Sequence, residues 1–346
     1  MEYRKLGKTD LNVSAICLGT MTFGKQNTQE EGHEQLDYAL DQGVNFIDTA
    51  EMYAVPSSKE VYHETERIIG RWIEKRNNRD KFILATKITG PSPGLSFIRN
   101  PLNFSNGQIN TAIDGSLSRL KTDYIDLYQL HWPERKSNFF GKRGFVVDDK
   151  DEWEDNFQAV LESLEGLVKA GKVRHIGVSN ETAWGLMKYL EKSSVSNAIR
   201  VQTIQNPYNL LNRTFETALA EVCYREEVSL IPYSPLGFGL LTDKYFDGSD
   251  VSSCRLNLFA QLSRYNSEMS KSAAMAYYNL AKENGMSLAT MALAFVNQQK
   301  FSASNIIGAT NMSQLKQNID SINHKLSPEI LSEIDKIREI YPDPAP

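Results

Sequence analysis

The sequence predicts a (β/α)8 TIM barrel of the α/β class, on three observations. Eight short β-rich runs recur, nearly all stopping at polar or small residues, with amphipathic helical patterns between them. No composition shift marks a domain boundary across the 346 residues, a length that suits one large barrel. The rival fold, a doubly wound open sheet, lacks its usual dinucleotide fingerprint. No G-x-G-x-x-G follows the first run, and Gly237-Phe238-Gly239 follows only the seventh. The expectation is one domain over residues 1–346, with an N-terminal β-hairpin and long loops on the C-terminal face.

The elements follow in chain order. Tyr3 to Leu6 and Val13, around Gly7 and Asp10, predict a small hairpin plugging the barrel bottom. The first four strands are read at I-C-L-G-T (16–20), V-N-F-I-D (44–48), F-I-L-A-T-K (82–87) and Y-I-D-L-Y-Q-L-H (124–131). H-I-G-V-S-N (175–180), T-I-Q-N-P-Y (203–208), S-L-I-P-Y-S (229–234) and N-I-I-G-A-T (305–310) complete the eight. Helical periodicity covers Glu30 to Gln42, with Leu36 and Leu40 on one face and Gly43 as the C-cap. It covers Thr65 to Lys75 through Ile68, Ile69, Trp72 and Ile73, then Gln108 to Leu120, then Asn156 to Ala170 closed by Gly171. Residues 90–107, 133–151 and 247–262 read as long loops, the kind that often serve as lids.

Composition narrows the function classes. Net charge is −5, from 38 Lys and Arg against 43 Asp and Glu, and no basic run stands out, so nucleic acid is a poor expectation. Cys17, Cys223 and Cys254 are far apart and form no Cys-x-x-Cys, which argues against a zinc site or disulfide framework. The N-terminus is polar, and no stretch reaches the ~18 apolar residues of a membrane span. A soluble cytoplasmic protein without a membrane partner is the expectation.

In such a barrel, sites form where strands end. Those ends read Thr20, Asp48, Lys87, His131, Ser179-Asn180, Gln205-Asn206, Ser234 and Thr310. Taken singly, Asp48 is an ordinary helix cap or turn residue, Lys87 a solvated charge, His131 a loop histidine and Tyr53 surface packing. Together they make a chemical set. A phenol has an unperturbed pKa of ~10, and a lysine ammonium within ~4–6 Å lowers it. Asp48 can pair with Lys87 and keep it charged, and His131 can hydrogen-bond a substrate oxygen. That set suits protonation of a carbonyl oxygen while a hydride reaches its carbon.

The hydride needs a carrier. Ser179, Asn180 and Gln205 offer donors and acceptors for a carboxamide, and Tyr233 a ring to stack on a flat nicotinamide. Residues 306–311 end a strand and open a helix whose N-terminus can receive a phosphate, with Gly308 permitting close approach. Arg255 and Lys244 are candidate phosphate clamps.

F-I-D-T-A-E-M-Y (46–53), A-T-K at Lys87, Y-I-D-L-Y-Q-L-H-W (124–132), I-G-V-S-N (176–180) and Q-N-P-Y-N-L-L-N-R (205–213) resemble the aldo-keto reductase family over nearly the whole chain. T-M-T-F-G (20–24) and the long stretch after His131 point within it to a bacterial subgroup. The resemblance implies a barrel that binds NADPH without a Rossmann domain and reduces an aldehyde or ketone. It implies a tetrad of Asp48, Tyr53, Lys87 and His131, with Tyr53 as general acid. Implied cofactor contacts are Gly19, Thr20, Met21 and Asp48, then Ser179, Asn180 and Gln205. They continue through Tyr233, Ser234, Pro235, Leu236, Gly237, Leu241, Lys244 and Arg255, and end with Gly308, Thr310, Gln314, Gln317 and Asn318. Some members hold the 2′-phosphate with a basic residue at the start of the last helix. Here Gln314 and Gln317 occupy those turns and Lys316 is the nearby cation, so NADPH preference falls to Arg255 and Lys244. The implied substrate residues are Tyr53 and His131 with Met21, Trp132, Phe139 and Phe140, and the implied state is a monomer.

Two other functions compete: a lyase forming a Schiff base on Lys87, and a nucleotide-binding redox sensor with little or no turnover. Asp48 argues against the lyase, because a carboxylate keeps the lysine protonated.

Overall fold

The computed structural model describes residues 1–196, 198–259 and 263–346. Two short antiparallel strands, β1 (Tyr3–Lys5) and β2 (Asn12–Ser14), come first. Then follow β3 (Ile16–Gly19), α1 (Gln29–Asp41), β4 (Phe46–Asp48), α2 (Glu64–Arg76), β5 (Ile83–Ile88), α3 (Asn106–Leu120) and β6 (Ile125–Leu130). The second half runs α4 (Phe157–Lys169), β7 (Val173–Ser179), α5 (Ala183–Ser196), β8 (Val201–Gln205), α6 (Leu219–Glu226) and β9 (Ser229–Leu230). After β9 come α7 (Arg255–Leu258), α8 (Glu268–Glu283), α9 (Leu288–Asn297), β10 (Asn305–Ile307), α10 (Met312–Asp320) and α11 (Pro328–Ile340).

Strands β3 to β10 form one parallel eight-stranded sheet in the order β10-β3-β4-β5-β6-β7-β8-β9. The ring closes where Ala303 N–H donates to the Leu230 carbonyl (2.9 Å) and Ile306 N–H to that of Pro232 (3.0 Å). This is the (β/α)8 fold. Each of the eight expected runs holds a strand. The seventh and eighth are shorter than read, because β9 and β10 pass into loop at Ile231 and Gly308.

Alternation along the strands positions the site. Cys17, Phe46, Ile83, Ala85 and Leu127 point into the barrel and pack with Leu6 and Val13 of the hairpin. Leu18, Ile47, Leu84 and Tyr128 point outward into the helix layer. Two residues beyond Phe46, Ala85 and Leu127, the same face carries Asp48, Lys87 and Gln129. The hairpin fills the bottom, and its turn is tied down by Gly7 N–H to Ser229 Oγ (2.8 Å) and Lys8 N–H to Gln202 Oε1 (2.9 Å).

Local chemistry sets the helix ends. Thr28 and Glu31 form a reciprocal capping box at α1. Its C-cap is Gln42, and Gly43 stands one position beyond with φ +81°, the left-handed step glycine takes most easily. The loop expected at 90–107 holds a 3-10 turn at Pro93–Leu95 and yields to α3 at Asn106. That expected at 247–262 contains α7, and its residues 260–262 lie outside the described residues. Among the described residues no helix is long and apolar enough to cross a membrane.

Candidate active site

The C-terminal ends of the strands open on a cleft of about 1110 Å³. At its floor the Lys87 ammonium, fully buried, donates to Asp48 Oδ2 (2.6 Å) and to the Thr49 carbonyl (2.8 Å). Asp48 Oδ1 accepts from Gln205 Nε2 (2.9 Å), so the carboxylate is held on both sides. Lys87 Nζ lies 5.1 Å from the Tyr53 ring centroid, and that ring meets His131 edge-on at 5.8 Å. Tyr53 stands on the loop after β4. Glu51, two residues earlier, anchors that loop by accepting from Thr89 N–H (2.9 Å) and Arg99 Nε (2.7 Å).

Burial opposes the charge on Lys87, but the Asp48 carboxylate beside it and the Tyr53 oxygen outweigh burial, and its pKa is raised. His131 is pushed well below the usual histidine value by burial, with Lys87 adding to the effect, so it is a neutral imidazole. Its Nδ1 has no hydrogen-bond partner among the described residues. The phenol corrects an expectation. Lys87 does pull the Tyr53 pKa down, but burial is the larger effect and the net shift is upward. Tyr53 therefore keeps its proton through neutral pH.

Most of the other expected residues lie around the cleft. Gly19 lines it at the end of β3 with Thr20 and Met21 just beyond, and Ser179, Asn180 and Gln205 line it at the ends of β7 and β8. These polar groups already engage one another: Ser179 Oγ donates to the Gln205 carbonyl (2.7 Å), Asn180 Nδ2 to the His131 carbonyl (2.9 Å), and the Tyr233 hydroxyl to Asn180 Oδ1 (2.7 Å). Tyr233, Ser234, Pro235, Leu236, Lys244 and Arg255 line the next wall, and Gly308, Thr310, Gln314, Gln317 and Asn318 the last. Gly237 and Leu241 stand behind that wall instead: Gly237 takes φ +53° to turn the chain, and Leu241 packs in the core. Lys316 points away, over the Tyr38 ring at 5.5 Å. Trp132, Phe139 and Phe140 line the remaining side.

Among the lining residues that escaped sequence reasoning, two carry polar contacts to expected ones. Gln26 accepts from Arg255 Nη2 (3.2 Å), and Arg264 reaches within 3.5 Å of the Tyr233 hydroxyl. Gln26 lies in the turn after β3 and Arg264 in a 3-10 turn at Ser263–Tyr265, both too short for periodicity to signal direction. Among the described residues no His, Cys, Asp or Glu cluster could hold a metal ion.

A nicotinamide dinucleotide fits this donor set. The charge of Arg255 faces no carboxylate among the described residues, only tyrosines, and burial lowers its pKa, leaving a cation short of an anion. A Cβ added at Gly308 would meet no protein atom within 4 Å and would project into open space at the head of α10, where a phosphate is favoured.

The barrel and its polar floor define an enzyme of the kind that works at the C-terminal ends of its strands. The sequence model of the Aldo/keto reductase family matches residues 15–339. Protein tas of Escherichia coli is 47% identical over 352 aligned positions, covering all of both chains. The oxidoreductase YrpG of Bacillus subtilis is 32% identical over 349 positions, 99% of this chain and 97% of its own. Norsolorinic acid reductase stcV of Emericella nidulans is 29% identical over 340 positions, 94% of this chain and 78% of its own. This chain belongs to the aldo/keto reductase family. Its class is that of carbonyl oxidoreductases using NAD(P)H.

Proposed function

We infer that the protein reduces an aldehyde or ketone to the alcohol with NADPH, Tyr53 supplying the proton. The observation that carries this reading is the floor of the cleft, where a protonated phenol and a neutral imidazole flank a buried ion pair. A bound dihydronicotinamide would supply the hydride. Neutral His131 donates a hydrogen bond that holds the carbonyl oxygen. Tyr53 passes its proton to that oxygen as negative charge builds there. The phenolate left behind faces the Lys87 ammonium, which Asp48 keeps charged and aimed. Ser179, Asn180 and Gln205 would hold the carboxamide, Tyr233 would face the nicotinamide ring, and Arg255 and Lys244 would read the 2′-phosphate. The same ion pair weakens the lyase alternative, since a protonated Lys87 is no nucleophile.

The test is loss of NADPH absorbance with an activated aromatic aldehyde, wild type and Tyr53→Phe side by side. Tyr53→Phe should lower turnover by about 10²–10⁴-fold while NADPH affinity stays close to normal. Equal rates would remove Tyr53 from the role of acid. Binding of NADPH with no turnover in either protein would favour the redox sensor.

A further inference from the structure

The substrate side of the cleft is built almost entirely of rings and apolar groups. His131 packs against Trp132 at 4.9 Å between centroids, Trp132 against Phe140 at 5.7 Å, and Phe140 against Phe139 at 5.1 Å. One cation interrupts this wall. The Arg264 guanidinium lies 5.9 Å from the Phe140 centroid, lines the cleft and is half-buried. Its titratable neighbours are the phenols Tyr233 and Tyr265, and no Asp or Glu side chain is paired with it among the described residues. Other part-buried arginines are different: Arg99, Arg119 and Arg135 each hold a glutamate. Arg264 therefore keeps donors free for a planar anion.

It is also distinct from the other cleft arginine. Arg255 reaches Gln26 on the loop after β3, whereas Arg264 meets Tyr233 and the loop after β6 that carries Phe140. Lys142, over the Phe139 ring at 5.7 Å, adds positive potential at the same rim. A protein of net charge −5 thus presents positive charge where the substrate enters.

We propose that the substrates are aromatic or otherwise apolar aldehydes and ketones carrying a carboxylate, which Arg264 binds. The carboxylate takes no part in the reaction; it is held by charge-assisted hydrogen bonds while the rings cover the apolar body. This inference rests on the carbonyl-reductase reading and names its substrate class.

The experiment compares 4-carboxybenzaldehyde with its neutral methyl ester at saturating NADPH, in wild type, Arg264→Met and Arg264→Lys. Wild type should prefer the carboxylate by about tenfold or more in kcat/KM. Arg264→Met should bring that ratio to about one, mainly through KM of the charged aldehyde, and Arg264→Lys should retain part of it. A wild-type ratio near one, or a ratio that survives Arg264→Met, overturns the inference. So does an Arg264→Met whose main defect is weaker NADPH binding. Calorimetry with benzoate and benzamide reads the site without turnover. Benzoate preference that vanishes in Arg264→Met upholds the anion site even if no aldehyde is reduced, which separates its fate from that of the reductase reading. Equal binding of the two by wild type overturns it.

Discussion

Two buried carboxylates, at opposite ends of the same barrel, each follow an aromatic residue and an isoleucine. Asp48 ends F-I-D and Asp126 ends Y-I-D. Asp48 closes β4 at the mouth, and Asp126 stands near the start of β6 at the base. Asp126 accepts from Arg79 (2.6 Å), from Arg174 (2.7 Å) and from Leu84 N–H (2.9 Å), and faces no cleft. Asp48 has one cation, Lys87, and glutamine amides in place of the second. What separates them is therefore neither burial nor pairing. The cation at Asp126 lies against the Tyr124 ring, with Arg79 at 4.0 Å and Arg174 at 4.2 Å, whereas the cation at Asp48 lies beneath a phenol that opens on the cleft. A buried ion pair marks a site only where its charge can act on a group the substrate reaches.

The largest expected effect breaks the pair at the mouth. Lys87→Met leaves Asp48 buried without its cation and Tyr53 without the charge that stabilises its phenolate. Carbonyl reduction should fall by about 10²–10⁴-fold, read from NADPH absorbance. Stability should fall as well, by about 3–5 kcal/mol, because a buried charge has lost its partner. A variant within tenfold of wild-type activity would show that the ammonium does not act on Tyr53.

At the base the outcome should reverse. Asp126→Asn removes the charge shared by Arg79 and Arg174 and should cost about 3 kcal/mol, measured by urea unfolding. Activity per folded molecule should stay within about twofold of wild type. A much larger loss of activity than this would mean that the base is coupled to the cleft and that the two ends are not independent.

The comparison also shows what was legible in the chain. Asp48 and Lys87 could be read as neighbours because each ends an apolar run, and parallel strands place their ends side by side. The fold was legible for a related reason: helical patterns separate the first five strand runs and three more runs follow, although the helices from α5 onward were not read. Asp126 was passed over although its tripeptide is similar, because it opens its strand instead of closing it. Arg264 and Gln26 were illegible for another reason: they reach the cleft from single short turns, placed by contacts such as those with Tyr233 and Arg255. The direction of the Tyr53 shift was read wrongly because composition and spacing say which charge is near, and not how much water has been removed.

The smallest effect concerns pH, and it sharpens the contrast between a folded interior held in one protonation state and an unfolded chain that titrates. Tyr53 is raised above its ordinary ~10, Lys87 is raised, and His131 lies well below its ordinary ~6.5. None of the three changes charge between about pH 7 and 9, so kcat/KM for reduction should be flat there. A break near pH 7–8 would show that Lys87 wins over burial at the phenol. Stability should respond on the acid side. His131 and His63, the latter pushed down to about 3 mainly by burial, stay neutral in the folded protein while the unfolded chain takes up protons below ~6.5. Below that value the unfolded state binds more protons, so stability falls as pH falls, by up to about 1.4 kcal/mol per pH unit for each histidine. Urea midpoints across pH 7 to 5 measure the slope, and His63→Phe should make it shallower. A slope unchanged in that variant would mean that His63 takes up a proton in the folded state as readily as in the unfolded chain.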